Sequence, residues 1–373
     1  MLVSIRAVIV AGLLCRWASA QATIGRCNVF PSNNVWNTPI DQLPVAANSG
    51  TLISTVGTGV RMHADFGAGL WNGSPMGIPF VVVSGSQTKY PMTFDYADES
   101  DPGPYAIPLN APIEGGSQST GDRHAIAIDG DNCILYELFS AYPQTASWQA
   151  GSGAIFDLNS NALRPSTWTS ADAAGLPIWA GLVRYDEVAA GEIRHAIRLT
   201  VPQTRKLFVW PARHYASSLT DPKYPPMGQR FRLRANYDIS GFPAEVQVIL
   251  RALKKYGLIL ADNGSAWYIS GAPDSRWNND NLSTLGRILG SDLEAVDGNA
   301  LMVTADSGQA RANLCDVNGD GAVNVLDLQI TVNAALGVVA CQGKDVDGNG
   351  RCDVADVLRV QSAVQGQGCL AGQ

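Results

Sequence analysis

Asp316-Val-Asn318-Gly-Asp320-Gly-Ala322-Val-Asn324-Val-Leu-Asp327 and, 29 residues further on, Asp345-Val-Asp347-Gly-Asn349-Gly-Arg351-Cys-Asp353-Val-Ala-Asp356 are one twelve-residue loop written twice. Each copy places an oxygen-bearing side chain at loop positions 1, 3, 5, 9 and 12. Position 6 is Gly321 or Gly350, which permits the sharp turn that brings the later oxygens round. Position 7, Ala322 or Arg351, adds a backbone carbonyl. Calcium is a hard cation that takes about six to eight oxygen ligands, and this spacing supplies them. A single such loop also reads as an Asx-rich turn without metal. Two copies, each running into an apolar helical stretch, select the cation.

The helices are expected over Leu326–Leu336, ending at Gly337, and Ala355–Val364, ending at Gly366. Position 12 is Asp in both copies, where a calmodulin-type loop has Glu, and no helical segment precedes the first loop. This paired loop-then-helix unit, over about residues 312–369, resembles a type I dockerin. The resemblance implies calcium held by Asp316, Asn318, Asp320, the Ala322 carbonyl, Asn324 and Asp327, and by Asp345, Asp347, Asn349, the Arg351 carbonyl, Asp353 and Asp356. It further implies a cohesin-type partner and attachment to a polysaccharide-degrading enzyme. The segment departs from the family pattern in its four cysteines, and in Val325-Leu326 and Val354-Ala355 where a Ser-Thr pair is common.

The first twenty residues read as a signal peptide: Arg6, an apolar run from Ala7 to Leu14, and Ala18-Ser19-Ala20 before Gln21. Leu14 before Cys15 argues against a lipoprotein site. No later apolar run spans a bilayer, so a secreted, extracellular chain with no membrane span is expected. Removing Cys15 leaves six of the seven cysteines, an even number in an oxidising setting. Cys341 with Cys352 and Cys315 with Cys369 is the preferred pairing in the terminal module, which leaves Cys27 and Cys133 for the rest. A net charge of −7 with no basic patch excludes a nucleic-acid partner. Charged residues at 16%, with 38 Gly and 20 Pro, point to a turn-rich extracellular β protein.

Residues 21–298 read as one large domain, 299–312 as a linker and 313–373 as the calcium module. The large domain is expected to be mainly β, a sandwich or barrel with a small α/β appendage. Ile78–Val83, His124–Ile128, Ile134–Phe139 and His195–Val201 read as strands, and Asp129-Gly-Asp-Asn132 as a hairpin turn. Ala244–Tyr256 has the apolar spacing of one helix, with strands Leu258–Leu260 and Trp267–Ile269 beyond it.

Chemistry is sought first at two near-identical openings, Arg123-His124-Ala-Ile and Arg194-His195-Ala-Ile. Alternation turns His124 and His195 inward, where each is either a hydrogen-bonded core residue or part of a site. A two-residue Gly130-Asp131 turn would set His124 opposite Glu137, whose burial suits a general acid. Asp95 and Asp98, in a run with Glu99 and Asp101, would supply the second carboxyl of a sugar hydrolase, or simply face solvent. Trp71, Trp168, Trp179, Trp210, Trp267 and Trp277 have ring faces that suit pyranose rings, and each taken singly also reads as core or rim. No G-x-S-x-G, H-E-x-x-H, Walker or dinucleotide motif is present. The leading expectation is a glycoside hydrolase with Glu137 as acid. A polysaccharide lyase, a carbohydrate-binding or cell-surface scaffold protein, and an oxidase with metal on His63, His124, His195 or His214 are the rivals.

Overall fold

The computed structural model describes residues 23–369 apart from Gly25, Ala312, Gly321 and Gly368. The expected signal peptide and the position-6 Gly321 lie outside the described residues.

Two mixed sheets carry most of the chain. In chain order their strands are β1 (His63–Asp65), β2 (Phe80–Val83), β3 (Ala125–Asp129), β4 (Ile134–Phe139), β5 (Ser152–Asp157), β6 (Ile197–Val201), β7 (Arg230–Leu233), β8 (Leu258–Asn263), β9 (Tyr268–Ser270) and β10 (Leu293–Val296). One sheet has the order β5-β4-β3-β2 and the other β10-β7-β8-β6-β9-β1, and neither closes into a barrel. The chain is thus mainly β with few helices, as its composition implies.

Alternation splits the β3–β4 hairpin between two cores. Ile126, Ile128 and Leu135 face the main core with Ala154 and Phe156 of β5. Ala125, Ala127, Tyr136 and Leu138 face a second core built on Tyr105 and Trp148. A strand covered on both faces reads as continuous apolar sequence, and every residue of β3 is buried. Each such Ile or Leu contributes about 1.5–3 kcal/mol by leaving water.

The hairpin turn is longer than expected. Asp129 pairs with Ile134, not Asn132, because its carboxylate caps the loop. Oδ1 accepts from the Asp131 and Asn132 amides at 3.0 and 2.9 Å, and Oδ2 from the Asn132 side chain at 2.8 Å. The register moves by two residues, so Ile126 rather than His124 stands opposite Glu137. Cys133 in this turn is bonded to Cys27, tying the N-terminal segment to the hairpin.

Helix α1 (Ser49–Val56) lies against β10, and α2 (Ala244–Lys255) buries Val246, Ile249, Leu250 and Leu253. Gly257 follows α2 at φ +66°, and a Cβ there would strike the Phe231 carbonyl, so the turn needs glycine. The strands after α2 run on into the larger sheet: β8 lies between β7 and β6, and β9 between β6 and β1.

At the C-terminus α3 (Val325–Ala335) packs on α4 (Val354–Val364). The stretch before them is fastened to the sheets. Gln309 bridges to Asn34 and Ser307 to Ala162, and Arg213 holds the Ala305 carbonyl and the Asp306 carboxylate. Arg311 donates to the Ala300 carbonyl and to Gly343 between the two loops. Gly348 sits against Pro44 so closely that a side chain there would collide with the proline ring.

Candidate functional site

The two loops share the same bonds at positions 9 and 12. In the first, Asp327 accepts from the Asn318 amide at 3.1 Å and the Asn324 amide at 2.9 Å. In the second, Asp356 accepts from the equivalent Asp347 and Asp353 amides at 3.1 and 2.9 Å. Position 9, Asn324 or Asp353, caps the following helix by accepting from Leu326 or Ala355, 2.8 Å in each case. The position-12 Asp closes the capping box by reaching back to the position-9 amide. Its short side chain fits that reciprocal bond and is fully buried in both copies.

The first ligand position also orders its own loop. Asp316 accepts from the Gly319 and Asp320 amides, and Asp345 from those of Asn349 and Gly350. In the second loop, carboxylate oxygens of Asp345, Asp347 and Asp356 all lie within 4.8 Å of one another. Burial raises the Asp345 pKa, and the neighbouring Asp347 and Asp356 raise it further. Three converging carboxylates with spare lone pairs form a hard-oxygen donor set, and a divalent cation relieves their repulsion. Disulfides Cys315–Cys369 and Cys341–Cys352 staple the unit.

Residues 314–365 match the family model of the dockerin type I domain. This segment is a type I dockerin. No curated protein and no solved structure matches the chain. Dockerins bind calcium and dock onto cohesin modules, and this dockerin has the donor set for the ion. Among the described residues no helix is long and apolar enough to cross a membrane.

Outside the dockerin, the expected catalytic groups do not come together. Glu137 is fully buried, with Oε2 and Oε1 accepting from the Ile178 and Trp179 amides at 2.9 and 2.8 Å. Burial pushes its pKa up to about 7 against those two bonds. It pins Ile178 and Trp179 to the sheet, with both carboxyl oxygens turned to those amides and away from solvent. Asp95 and Asp98 are exposed. Glu99 and Asp101 of the same run turn inward, Glu99 to the Thr169 amide and Asp101 to Arg164.

His195 is fully buried, with Nδ1 2.8 Å from the Ala196 carbonyl and Nε2 2.9 Å from Arg184 and 3.2 Å from Glu187. Burial raises the Glu187 carboxyl, but Arg184 and His195 bring it down to about 2. His124 is also buried, with Nδ1 2.5 Å from Glu114 and Nε2 3.0 Å from the Ala171 carbonyl. Against burial, the Glu114 charge and hydrogen bond raise His124 to about 9. The two histidines share a local pattern but belong to separate networks. Among the described residues no metal-ligand group forms around any histidine.

A different set of side chains does converge, between the sheets. Arg198 on β6 donates to both Asp172 oxygens at 2.7 Å, to Ser270 on β9 at 2.7 Å and to Asp262 on β8 at 3.3 Å. A bulge sets Asp262 there. Leu199 pairs with Leu260 but Thr200 pairs with Asp262, so Ala261 is skipped and Asp262 joins the Arg198 side. Asp65 on β1 pairs with Ser270. Glu114 and His124 come from the loop before β3, which Arg123 holds by donating to the Ser117, Ser119 and Ala141 carbonyls.

This cluster is buried at its centre and partly exposed at two of its carboxyls. Arg198, Asp172 and His124 are buried, while the side chains of Asp262 and Glu114 keep 21% and 26% of their surface. Burial and the Asp172 charge push Asp262 up to about 7, although Arg198 opposes them. Burial raises Glu114, but His124 outweighs it and leaves the carboxyl below its ordinary value. The Asp65 carboxyl is raised by desolvation and by the Glu114 charge. A hollow of about 590 Å³ beside α1, lined by Lys223 and Tyr224, contains none of these residues. Sequence reading missed the cluster, yet one signal was present. Arg198 interrupts the apolar run Ile197-Arg-Leu-Thr-Val201, and Asp262 ends Leu258-Ile-Leu-Ala-Asp262, and a charge in such a strand requires a partner.

Proposed function

We propose that this chain is a secreted polysaccharide-degrading enzyme, a hydrolase, delivered to its place of action by its dockerin. The single observation that carries the reading is the dockerin itself, a docking module joined to a much larger β-rich region. The proposed division is a signal peptide over 1–20, a polysaccharide-active region over 21–298, a connecting stretch over 299–312 and the calcium module over 313–373. Docking raises the local concentration of an attached activity without any new contact to substrate. The ligands proposed for calcium are Asp316, Asn318, Asp320, the Ala322 carbonyl, Asn324 and Asp327, with Asp345, Asp347, Asn349, the Arg351 carbonyl, Asp353 and Asp356 in the second loop. Bound calcium supplies positive charge that holds each loop closed ahead of its helix.

A second reading, a non-catalytic carbohydrate-binding component, draws on the exposed Leu70 and Trp71. The test uses the whole secreted protein. Binding to immobilised cohesins is measured in calcium and in chelator. New reducing ends and unsaturated-uronate absorbance are followed on a polysaccharide panel. Calcium-dependent capture with reducing ends alone is the expected result. Capture without any cleavage selects the binding reading, and uronate absorbance selects a lyase.

A further inference from the structure

We propose that the charged cluster around Arg198 and His124 is a hydrolytic centre for a neutral polysaccharide, with Asp262 as proton donor, Glu114 as base and Trp71 as the sugar platform. The inference rests on the enzymatic reading above and adds its site and substrate class.

The first support is the fixed mixture of charges. Arg198 commits four of its five N–H donors to Asp172, Ser270 and Asp262, and both ring nitrogens of His124 are committed. These buried cations hold carboxyls in place and leave Asp262 and Glu114 partly exposed. Their environments drive the two carboxyls apart, Asp262 toward the protonated form and Glu114 toward the ionised one. Such a split lets one group give a proton while the other takes one.

The second support is an aromatic surface tied to the same cluster. Leu70–Trp71 pairs with Ser74–Pro75 in a small hairpin five residues after Asp65. Ser74 Oγ donates at 2.7 Å to the carbonyl of Gly115, the residue after Glu114. A Cβ at Gly116 would collide with Ser74, so the hairpin seats on that loop. Trp71 is 71% exposed, an unusual position for a large apolar ring with no covering element. Its exposed flat face, on the hairpin that seats on the Glu114 loop, suits a pyranose ring.

The charge balance sets the substrate class. Asp65, Glu114, Asp172 and Asp262 outnumber the neighbouring cations Arg198 and His124, and most of the guanidinium's donors are already bonded to those carboxylates and Ser270. An acidic cluster repels an acidic polymer and admits a neutral one. In the reaction the bond from the anomeric carbon to the glycosidic oxygen breaks, and that oxygen takes the Asp262 proton. Water adds its oxygen to the anomeric carbon and gives its proton to Glu114. Glu114 then releases that proton to solvent while solvent returns one to Asp262, so both carboxyls are restored and only water is consumed.

The test assays the full calcium-loaded chain and its variants on neutral and uronate polysaccharides, with folding checked by thermal melting. Asp262→Asn and Glu114→Gln are each expected to cut kcat/KM at least about 100-fold on a neutral polymer. Trp71→Ala, at an exposed site that does not endanger folding, is expected to raise KM about two- to twelvefold, more than it lowers kcat. Cleavage that persists in folded Asp262→Asn overturns the site and leaves the enzymatic reading standing. Cleavage of uronate polymers alone overturns the substrate class. No cleavage of any polymer by the folded parent overturns the enzymatic reading, and this inference with it.

Discussion

The dockerin carries its chemistry within twelve consecutive residues, twice over, whereas the charged cluster gathers Asp65, Glu114, His124, Asp172, Arg198 and Asp262 from five separate segments. In the dockerin the spacing itself makes the geometry, because loop amides bind the same carboxylates that face the cation. In the cluster, geometry depends on strand order, on a bulge that skips Ala261, and on a loop held by Arg123. A local site survives as a readable pattern. A site assembled at long range leaves only stray charges in apolar strands.

The comparison breaks most sharply at the buried centre of the cluster. Arg198→Met leaves Asp172 buried without its cation, at a cost of about 3–5 kcal/mol. Thermal melting should show a loss of roughly 6–20 °C, and an unchanged melt would mean that the pair does not hold the sheets together. The disulfides contrast next. Cys27 and Cys133 are 106 residues apart, so replacing both with Ser costs about 2–5 kcal/mol, while Cys341 and Cys352, 11 apart, close a short loop worth roughly 3 kcal/mol at most. Denaturant unfolding of the two double variants ranks them, and the reverse order contradicts the chain-entropy account.

Calcium removal sharpens the contrast at the other end of the chain. With free calcium at about 100 times its Kd, chelation removes about 2.7 kcal/mol of stabilisation. Faster amide exchange is expected across 314–365 with the sheets unchanged, and exchange rising equally in both regions would erase the distinction. The smallest effect lies at Glu137. Its folded pKa is raised to about 7 from 4.5, so between those values the folded state keeps a proton that the unfolded chain has lost. Stability is therefore greatest below about pH 4.5 and falls as pH rises through 7. Denaturant midpoints at pH 5 and 7.5 should show the fall, and Glu137→Gln should flatten it.

Legibility followed the same division. Both calcium loops and both terminal helices were written in spacing, and the β-rich class in composition; the three disulfides match the preferred pairing, which spacing alone did not decide. The β3–β4 hairpin was legible as an element but not in register, because Asp129 caps a longer turn than its Gly-Asp pair implies. That change moved His124 away from Glu137. His124 then pairs with Glu114, ten residues upstream, and His195 with Glu187, eight upstream. The repeated Arg-His-Ala-Ile opening did mark two buried histidines with nearby carboxylates. It could not show that Arg198, three residues beyond His195, belongs with His124 instead.

The most direct test of the account is the calcium stoichiometry of the purified chain by titration calorimetry. Two ions per chain are expected, and the paired substitution Asp345→Asn with Asp347→Asn should leave one. Heat of binding for no ion in the parent chain, or a stoichiometry untouched by that pair, would contradict the reading of the twin loops.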